Sequence, residues 1–545
     1  MYRSERLVLC HFWAAFAAFV PAICLGVFQM VARSPWLEVR DPKMYYSSVT
    51  AHGSFFGYMF PTFVAMGFGY AACANALAQR IVGQGFAWLG FAMAVVGSLA
   101  ALIPELLGKS ATLYTFYLPL MGNTWYYVGL ILVVLGSWVW VAVMLANLTV
   151  WKVRHRNAPV PLAMFASCAG ALLWFWTSLG VTIELLSSVV PYLLGWTATV
   201  NAGLGRILFS WTLHGIVYFW LIPSYVAFYT LVPKEADSRL YSDTMGRIAF
   251  ILFLVFSMPV GMHHIFGDPE VAGGPKFMHA LFTALVAVPT FLTVFSICAS
   301  LETGGRLRGG KGLFGWIGAL PWDRPMILAC GLSLIMLGLG GAGGLINMSY
   351  GLDATIHNTQ WVTAHFHLIY GGAIVIMYFA IAYEIWPHLT GKQLFSVRMA
   401  RWQLWFWFVG LMVTTIPWHI VGLMGQPRRM AFYDYHDPAI APQAPFVVIS
   451  SIGGFIILLS SILLVINLLA TQLQPKGELE HRLRFALAVN PPIRVPRVLN
   501  GFAFWNVLIL ILLVVNYGLP LSQLLFFKQH TTPAFPIGVT QYQEK

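Results

Sequence analysis

The chain has 545 residues, 59% of them hydrophobic and only 9% charged, with a formal net charge of +12. Soluble domains carry roughly 25% charged residues, so a water-soluble globular protein is excluded and a membrane protein is indicated. The excess of positive charge needs no nucleic acid, because membrane topology accounts for it.

A bilayer crossing takes about 20 apolar residues in a helix. In chain order the apolar runs fall near 7–32, 47–78, 83–106, 121–149, 160–189, 201–231, 245–266, 276–301, 325–348, 356–388, 402–424, 445–471 and 499–525. Lipid offers the backbone no hydrogen-bond partners, and the alternation a barrel needs is absent, so these runs are helices. The expected fold class is all-α: a polytopic membrane protein with about 13 transmembrane helices, residues 1–545 forming a single membrane-embedded domain. The first run follows MYRSER, is too long for a signal peptide and lacks a small-residue cleavage site. It reads as an uncleaved first span.

Cytoplasmic loops of membrane proteins are enriched in Lys and Arg. With the N-terminus inside, the inner loops include WKVRHR (151–156), PKEADSR (233–239), RLRGGKG (306–312) and HRLRF (481–485). About 21 of the 31 Lys and Arg then lie inside and about 10 outside, and thirteen spans leave the C-terminus outside. Cys10, Cys24, Cys73, Cys168, Cys298 and Cys330 are scattered through or beside apolar runs with no CxxC pair, and read as small buried hydrophobes.

An ionisable side chain within a span is a functional hypothesis by default. His52, His214, His263, His264, His365 and His367 all fall in the outer half of the bilayer under this topology, at similar depth. A single membrane histidine is more often a hydrogen-bonding residue between helices. Six at one depth, including HH and HxH, reverse that balance. A helix turns 100° per residue, so His365 and His367 point about 200° apart and serve two different centres. Imidazole suits iron and copper, and haem iron takes axial histidine. Two rings for one haem, one for a second haem and three for copper use all six. His11, His155, His388, His419, His436, His481 and His530 read as structural or interfacial, and His279 and His357 stay open.

In the sixth run, WTLHGIVYFWLIPSYVAFYT (211–230), His214 and Tyr218 are four apart and share a helix face. Tyr225 and Tyr229 continue that stripe inward. In the eighth run Thr290, Thr293 and Ser296 are three apart, again on one face. Phenols and hydroxyls leading inward from a metal ligand suit a proton path. Taken singly, each is as well explained as a helix-to-helix contact.

These residues resemble subunit I of the haem-copper oxygen reductases (terminal cytochrome oxidases), most closely the B-type branch. The resemblance rests on TAHG (50–53), HGIVY (214–218), GMHHIFGDP (261–269), GGRLRGGKGLFGW (304–316), GLDATIHNTQWVTAHFHL (351–368) and PRR (427–429), and spans nearly the whole chain. Ile216 stands where the A-type branch carries Glu.

The resemblance implies that His52 and His367 ligate a low-spin haem b, and that His365 is the proximal ligand of a second, high-spin haem of a-, b- or o-type. It implies that His214, His263 and His264 hold the copper called CuB. Tyr218 matches the tyrosine joined covalently to the first copper histidine, which gives an electron and a proton when the O–O bond breaks. Tyr225, Tyr229, Ser242, Thr290 and Thr293 match the proton channel. Arg428 and Arg429 match a haem-propionate pair, and Asp353 and His357 match residues near the high-spin haem's propionates. Guanidinium pairs well with carboxylate.

The implied function is the catalytic subunit of a cytochrome c oxidase. Electrons from cytochrome c or a similar donor pass through the low-spin haem to the high-spin haem and CuB, and O2 is reduced to water with proton uptake and pumping. Nitric oxide reduction on the same scaffold, 2 NO to N2O, is the alternative; a non-catalytic membrane haem carrier is a weaker one. The implied partners are a subunit II with the electron-entry site, CuA in this family, and small additional subunits. The implied location is a prokaryotic plasma membrane. Gly215 stands where most relatives have Pro, and is expected to loosen the helix beside Tyr218.

Overall fold

The computed structural model describes residues 4–37, 41–475, 482–528 and 535–536. His481 and His530 lie outside the described residues. Among these residues eleven helices are long and apolar enough to cross a membrane, from Ser4–Ala32 through Ala503–Leu525. Two further helical passages coincide with the remaining runs. Residues 42–76 form one passage interrupted by a π-helical segment, Ser54–Met59, and the α-helix Asp243–Phe256 is short. The thirteen apolar runs therefore correspond to helical passages. The only sheet among the described residues is a two-residue pairing of Thr199–Val200 with Phe535–Pro536.

Sequence signals set several boundaries. Asp41 caps Pro42–Gly53, accepting from the backbone N–H of Lys43 and Met44, with Pro42 in the first turn. Asn201 caps Ala202–Thr230 through Leu204 N–H at 3.0 Å. Helices Gln84–Leu106 and Thr124–Arg154 pack with their backbones close together. A Cβ added to Gly97 would lie 2.6 Å from the Gly129 carbonyl oxygen, and one on Gly129 would lie 2.4 Å from that of Gly97. Small residues permit such approach where lipid supplies no hydrophobic drive between helices.

Some boundaries differ from the apolar pattern in ways that matter for the histidines. The seventh helix stops at Phe256, and His263 and His264 sit beyond it on a separate 3₁₀ turn, Gly261–Ile265. The second passage starts at Pro42, so His52 lies in the last turn of its first segment. The tenth starts at Gln360, which puts His365 and His367 near its beginning. The eighth run is two helices, Gly273–Leu285 and Ala287–Leu307. Hydropathy marks where chain crosses lipid; it does not mark polar helix starts or turns inside a bundle.

Of the histidines read as structural or interfacial, those among the described residues make local contacts or face outward. His11, His155 and His419 each place Nδ1 against the carbonyl four residues back, at 2.7, 3.0 and 2.8 Å. His388 lies 3.6 Å from Glu384 one turn away, and His436 is exposed on a loop. The cysteines are free, and Cys73, Cys168 and Cys330 are buried.

Candidate functional site

A cavity of about 640 Å³ runs through the bundle, and His52, His214, His263, His264, His365 and His367 all line it. They come from four passages of chain separated by up to three hundred residues. Their convergence is a tertiary result.

His52 and His367 face each other. Their rings are within 9° of parallel, with centroids 6.3 Å apart. Each Nδ1 is held by a carbonyl oxygen, His52 by Ala22 at 2.7 Å and His367 by Thr363 at 2.8 Å. Metal-binding histidines commonly donate their second N–H in this way, which fixes the tautomer and leaves the other nitrogen for the metal. The separation suits one metal ion bonded at about 2 Å to each facing nitrogen. Both residues adjoin π-helical turns: Ser54–Met59 begins two residues after His52, and His367 opens His367–Ile374. Such turns concentrate at functional sites.

His365 lies on the other side of the same helix start. Its Nδ1 is buried, and the ring has the Gly340 backbone within hydrogen-bonding reach. A Cβ on Gly343 would come within 2.6 Å of that Nδ1. Only glycine at position 343 leaves room for this ring.

His214, His263 and His264 form a cluster in which one ligand atom from each lies within 4.8 Å of the others. His214 Nδ1 is 2.8 Å from His264 Nε2. On its other edge, His214 Nε2 is 2.8 Å from the Tyr218 hydroxyl. Three imidazoles converging from two chain segments suit copper.

Thr283, not singled out from the sequence, and His279, left open there, stand around this trio. Thr283 Oγ1 donates to the His279 carbonyl at 2.6 Å and lies 3.1 Å from His263 Nδ1. With its proton committed to His279, Thr283 accepts from His263 Nδ1–H. That leaves His263 Nε2 as the free lone pair. Thr283→Ala should therefore weaken copper binding by about 10- to 100-fold, read as copper retained against a graded chelator. His279 accepts from the Met262 N–H at 3.2 Å, holding the turn that carries both adjacent histidines.

Arg33 was also missed. It lines the cavity and donates to Gln360 Oε1 and, at 3.2 Å, to the Tyr433 hydroxyl. Its signal was an arginine closing the first apolar run, on the side where positive charge is rare.

The residues of the phenol stripe are placed in three different ways. Tyr218, Tyr225 and Thr290 line the cavity. Tyr229 donates to Thr293 Oγ1 at 3.1 Å, and Thr293 donates onward to the Pro289 carbonyl at 2.8 Å. The buried Tyr225 hydroxyl lies within reach of Thr290, and Ser296 Oγ is buried without a partner. Ser242 stands apart: its Oγ caps helix Asp243–Phe256 through Met245 N–H at 3.2 Å, and it is not on the cavity wall.

Arg428 and Arg429 line the cavity. Arg428 donates twice to Asn358 Oδ1, at 3.2 and 2.8 Å. Burial, then the neighbouring Arg429 charge, pulls Arg428 below the usual guanidinium range. An anion between the two would relieve both effects. Arg429 has a left-handed backbone, φ 65°, and its guanidinium lies 6.0 Å from the Tyr114 ring centroid. Asp353 and His357 pair with each other, Nδ1 to Oδ2 at 2.8 Å, just before Asn358 and off the cavity wall.

Gly215 does not loosen its helix, which is continuous from Ala202 to Thr230. A Cβ there would lie 2.7 Å from both Cγ2 and Oγ1 of Thr177. Glycine is needed for the approach of the neighbouring helix. Gly215→Ala should cost about 1–3 kcal/mol, seen as a lower thermal midpoint in detergent.

The family described as cytochrome c and quinol oxidase polypeptide I matches residues 6–456. The chain is 36% identical over 538 residues to cytochrome c oxidase subunit 1 of Thermus thermophilus, covering 96% of this chain and 95% of that one. It is 28% identical over 264 residues to the subunit 1 of a Synechocystis species, covering 48% of this chain and 43% of that one. Among solved structures it is similar to a haem-copper terminal oxidase dimer determined by cryo-EM, with a TM-score of 0.93, 30% identity and coverage of 100% of this chain and 96% of that one. Six cavity histidines on an all-helical membrane bundle, together with these relatives, lead to one conclusion: the chain belongs to the cytochrome c and quinol oxidase polypeptide I family.

Proposed function

We propose that this chain is the catalytic subunit of a terminal oxidase that reduces O2 to water. The observation that carries the reading is the single cavity shared by a facing histidine pair, a third buried histidine and a three-histidine cluster. His52 and His367 would hold a low-spin haem b, His365 a high-spin haem, and His214, His263 and His264 copper. When bound, these groups supply the electron transfer and dioxygen reduction; the protein supplies geometry and proton access.

Tyr218 keeps its hydroxyl at the edge of the copper cluster, where it can give up a proton beside His214. Tyr225 and Thr290 continue along the cavity wall, and the Tyr229–Thr293 pair stands behind them. Protons from the cytoplasm would run this order in reverse, entering beside Ser242 at the inner end and arriving at Tyr218. Arg428 and Arg429 would meet haem propionates, with Asp353 and His357 beside them.

The motif set supports the B-type branch, with the N-terminus inside, the C-terminus outside and one membrane domain over 1–545. Cytochrome c or a similar small carrier is the proposed donor, delivered through a subunit II bearing CuA, in a prokaryotic plasma membrane. Metal and haem analysis of the purified complex tests the reading. Two haems and one copper are expected for each copy of this chain, over and above the copper that subunit II brings. A single type of low-spin haem without copper would identify an electron carrier instead.

A further inference from the structure

Two glutamates sit deep in the bundle and have no part in the site described above. Glu105, near the end of Gln84–Leu106, is 1% exposed, and Glu184, the last residue of Leu162–Glu184, is 0% exposed. Among the described residues neither is in an ion pair. Ser54 Oγ donates to Glu105 Oε1 at 2.6 Å. Glu105 Oε2 and both oxygens of Glu184 are buried without partners. Glu184 points at the neighbouring helix, where a Cβ on Gly205 would lie 3.1 Å from its Oε1.

The surroundings repeat the pattern. Tyr58 lies within electrostatic reach of both carboxyls, Tyr126 of Glu105 and Tyr127 of Glu184. The buried Tyr126 hydroxyl lies within reach of Ser54, the residue that holds Glu105, and Thr115 Oγ1, beside the Phe116 ring that meets Tyr126 at 6.0 Å, is fully buried and unpartnered. Tyr114 and Tyr117 complete the facing groups. Cations also stand around the phenols: Arg429 lies 6.0 Å from the Tyr114 ring, and Arg206, paired with Asp268 at 2.7 Å, lies 5.5 Å from the Tyr117 ring.

Burying an ionised carboxylate with no counter-charge is far costlier than burying a neutral acid, and unpaired buried polar atoms are rare in folded proteins. Several together mark a site that holds something small, polar and exchangeable. Two carboxyls among phenols and hydroxyls, neither in an ion pair among the described residues, suit the proton. The site also has a connection to the cavity. Tyr58 donates to the carbonyl of Tyr114, whose side chain lines the cavity beside Arg429. Ser54, which holds Glu105, follows His52 by two residues in the chain.

We propose that Glu105 and Glu184 form a buried proton-holding site, distinct from the phenol stripe, which exchanges protons as the charge of the neighbouring redox centres changes. The proposal rests on the oxidase reading only for the source of that charge change. The step is an O–H bond made on a carboxyl oxygen as one proton arrives, and broken as it leaves.

Infrared difference spectroscopy of the intact complex, oxidised minus reduced, tests it in H2O and D2O. A carboxylic-acid C=O band that shifts in D2O is expected. It should lose intensity in Glu184→Gln or Glu105→Gln while the haem absorption change, recorded on the same sample, persists. Identical acid bands in wild type and both variants would overturn the proposal. Should a variant fail to assemble, wild-type enzyme labelled with carboxyl-13C glutamate decides: a redox difference spectrum with no label-sensitive acid band overturns the proposal while leaving the oxidase reading intact.

Discussion

Tyr218→Phe lowers O2 reduction by about 10²- to 10⁴-fold, the range that a positioned proton donor supplies. The substitution removes one oxygen atom, the hydroxyl 2.8 Å from His214 Nε2. The ring remains, with its centroid 6.2 Å from that of Phe253, so packing changes little. Copper content and both haem absorptions should therefore stay at wild-type levels while turnover collapses. Oxygen-electrode rates normalised to haem give the result. A Tyr218→Phe enzyme running at full rate would remove the phenol from the chemistry.

His264→Ala has the other large effect. Its Nε2 is 2.8 Å from His214 Nδ1, inside the only three-histidine cluster found among the described residues. Two imidazoles do not complete a copper site, and the buried partner His263 cannot move far because Thr283 and the His279-anchored turn hold it. The copper held by this chain, over and above that of subunit II, should fall to about a tenth or less. O2 turnover should fall by more than about 10³-fold, since several kcal/mol of charge stabilisation goes with the metal. His436→Ala on the exposed loop is the matching control and should retain both. Copper at wild-type levels in His264→Ala would displace this residue from the ligand set.

The histidines were legible because ionisable rings in apolar runs stand out, and because topology put all six at one depth. Their pairing was legible only in part. The opposed directions of His365 and His367 follow from helix geometry. The near-parallel stack of His367 on His52 depends on π-helical turns in two separate passages, and no residue type marks such turns. Adjacent His263 and His264 suggested the end of a helix. The structure instead puts them on a 3₁₀ turn beyond Ser257–Val260, held by His279 from the next helix.

Gly215 shows the same limit from the other side. Local propensity gives glycine as a loose point, yet the reason for it is Thr177, on a helix about forty residues upstream. Glu105 and Glu184 were visible as lone acids in apolar runs, and the argument that picked out the histidines applies equally to them. What the sequence could not supply was that both carboxyls lie within reach of the same phenol, Tyr58.

The central claim is tested most directly by O2 and NO uptake measured on one preparation of the purified complex, with an artificial reductant and a small electron carrier. The account predicts fast, cyanide-sensitive O2 uptake and little anaerobic NO turnover. Fast NO turnover with weak O2 uptake would contradict it: the Tyr218–His214 contact would then not mark an oxygen reductase.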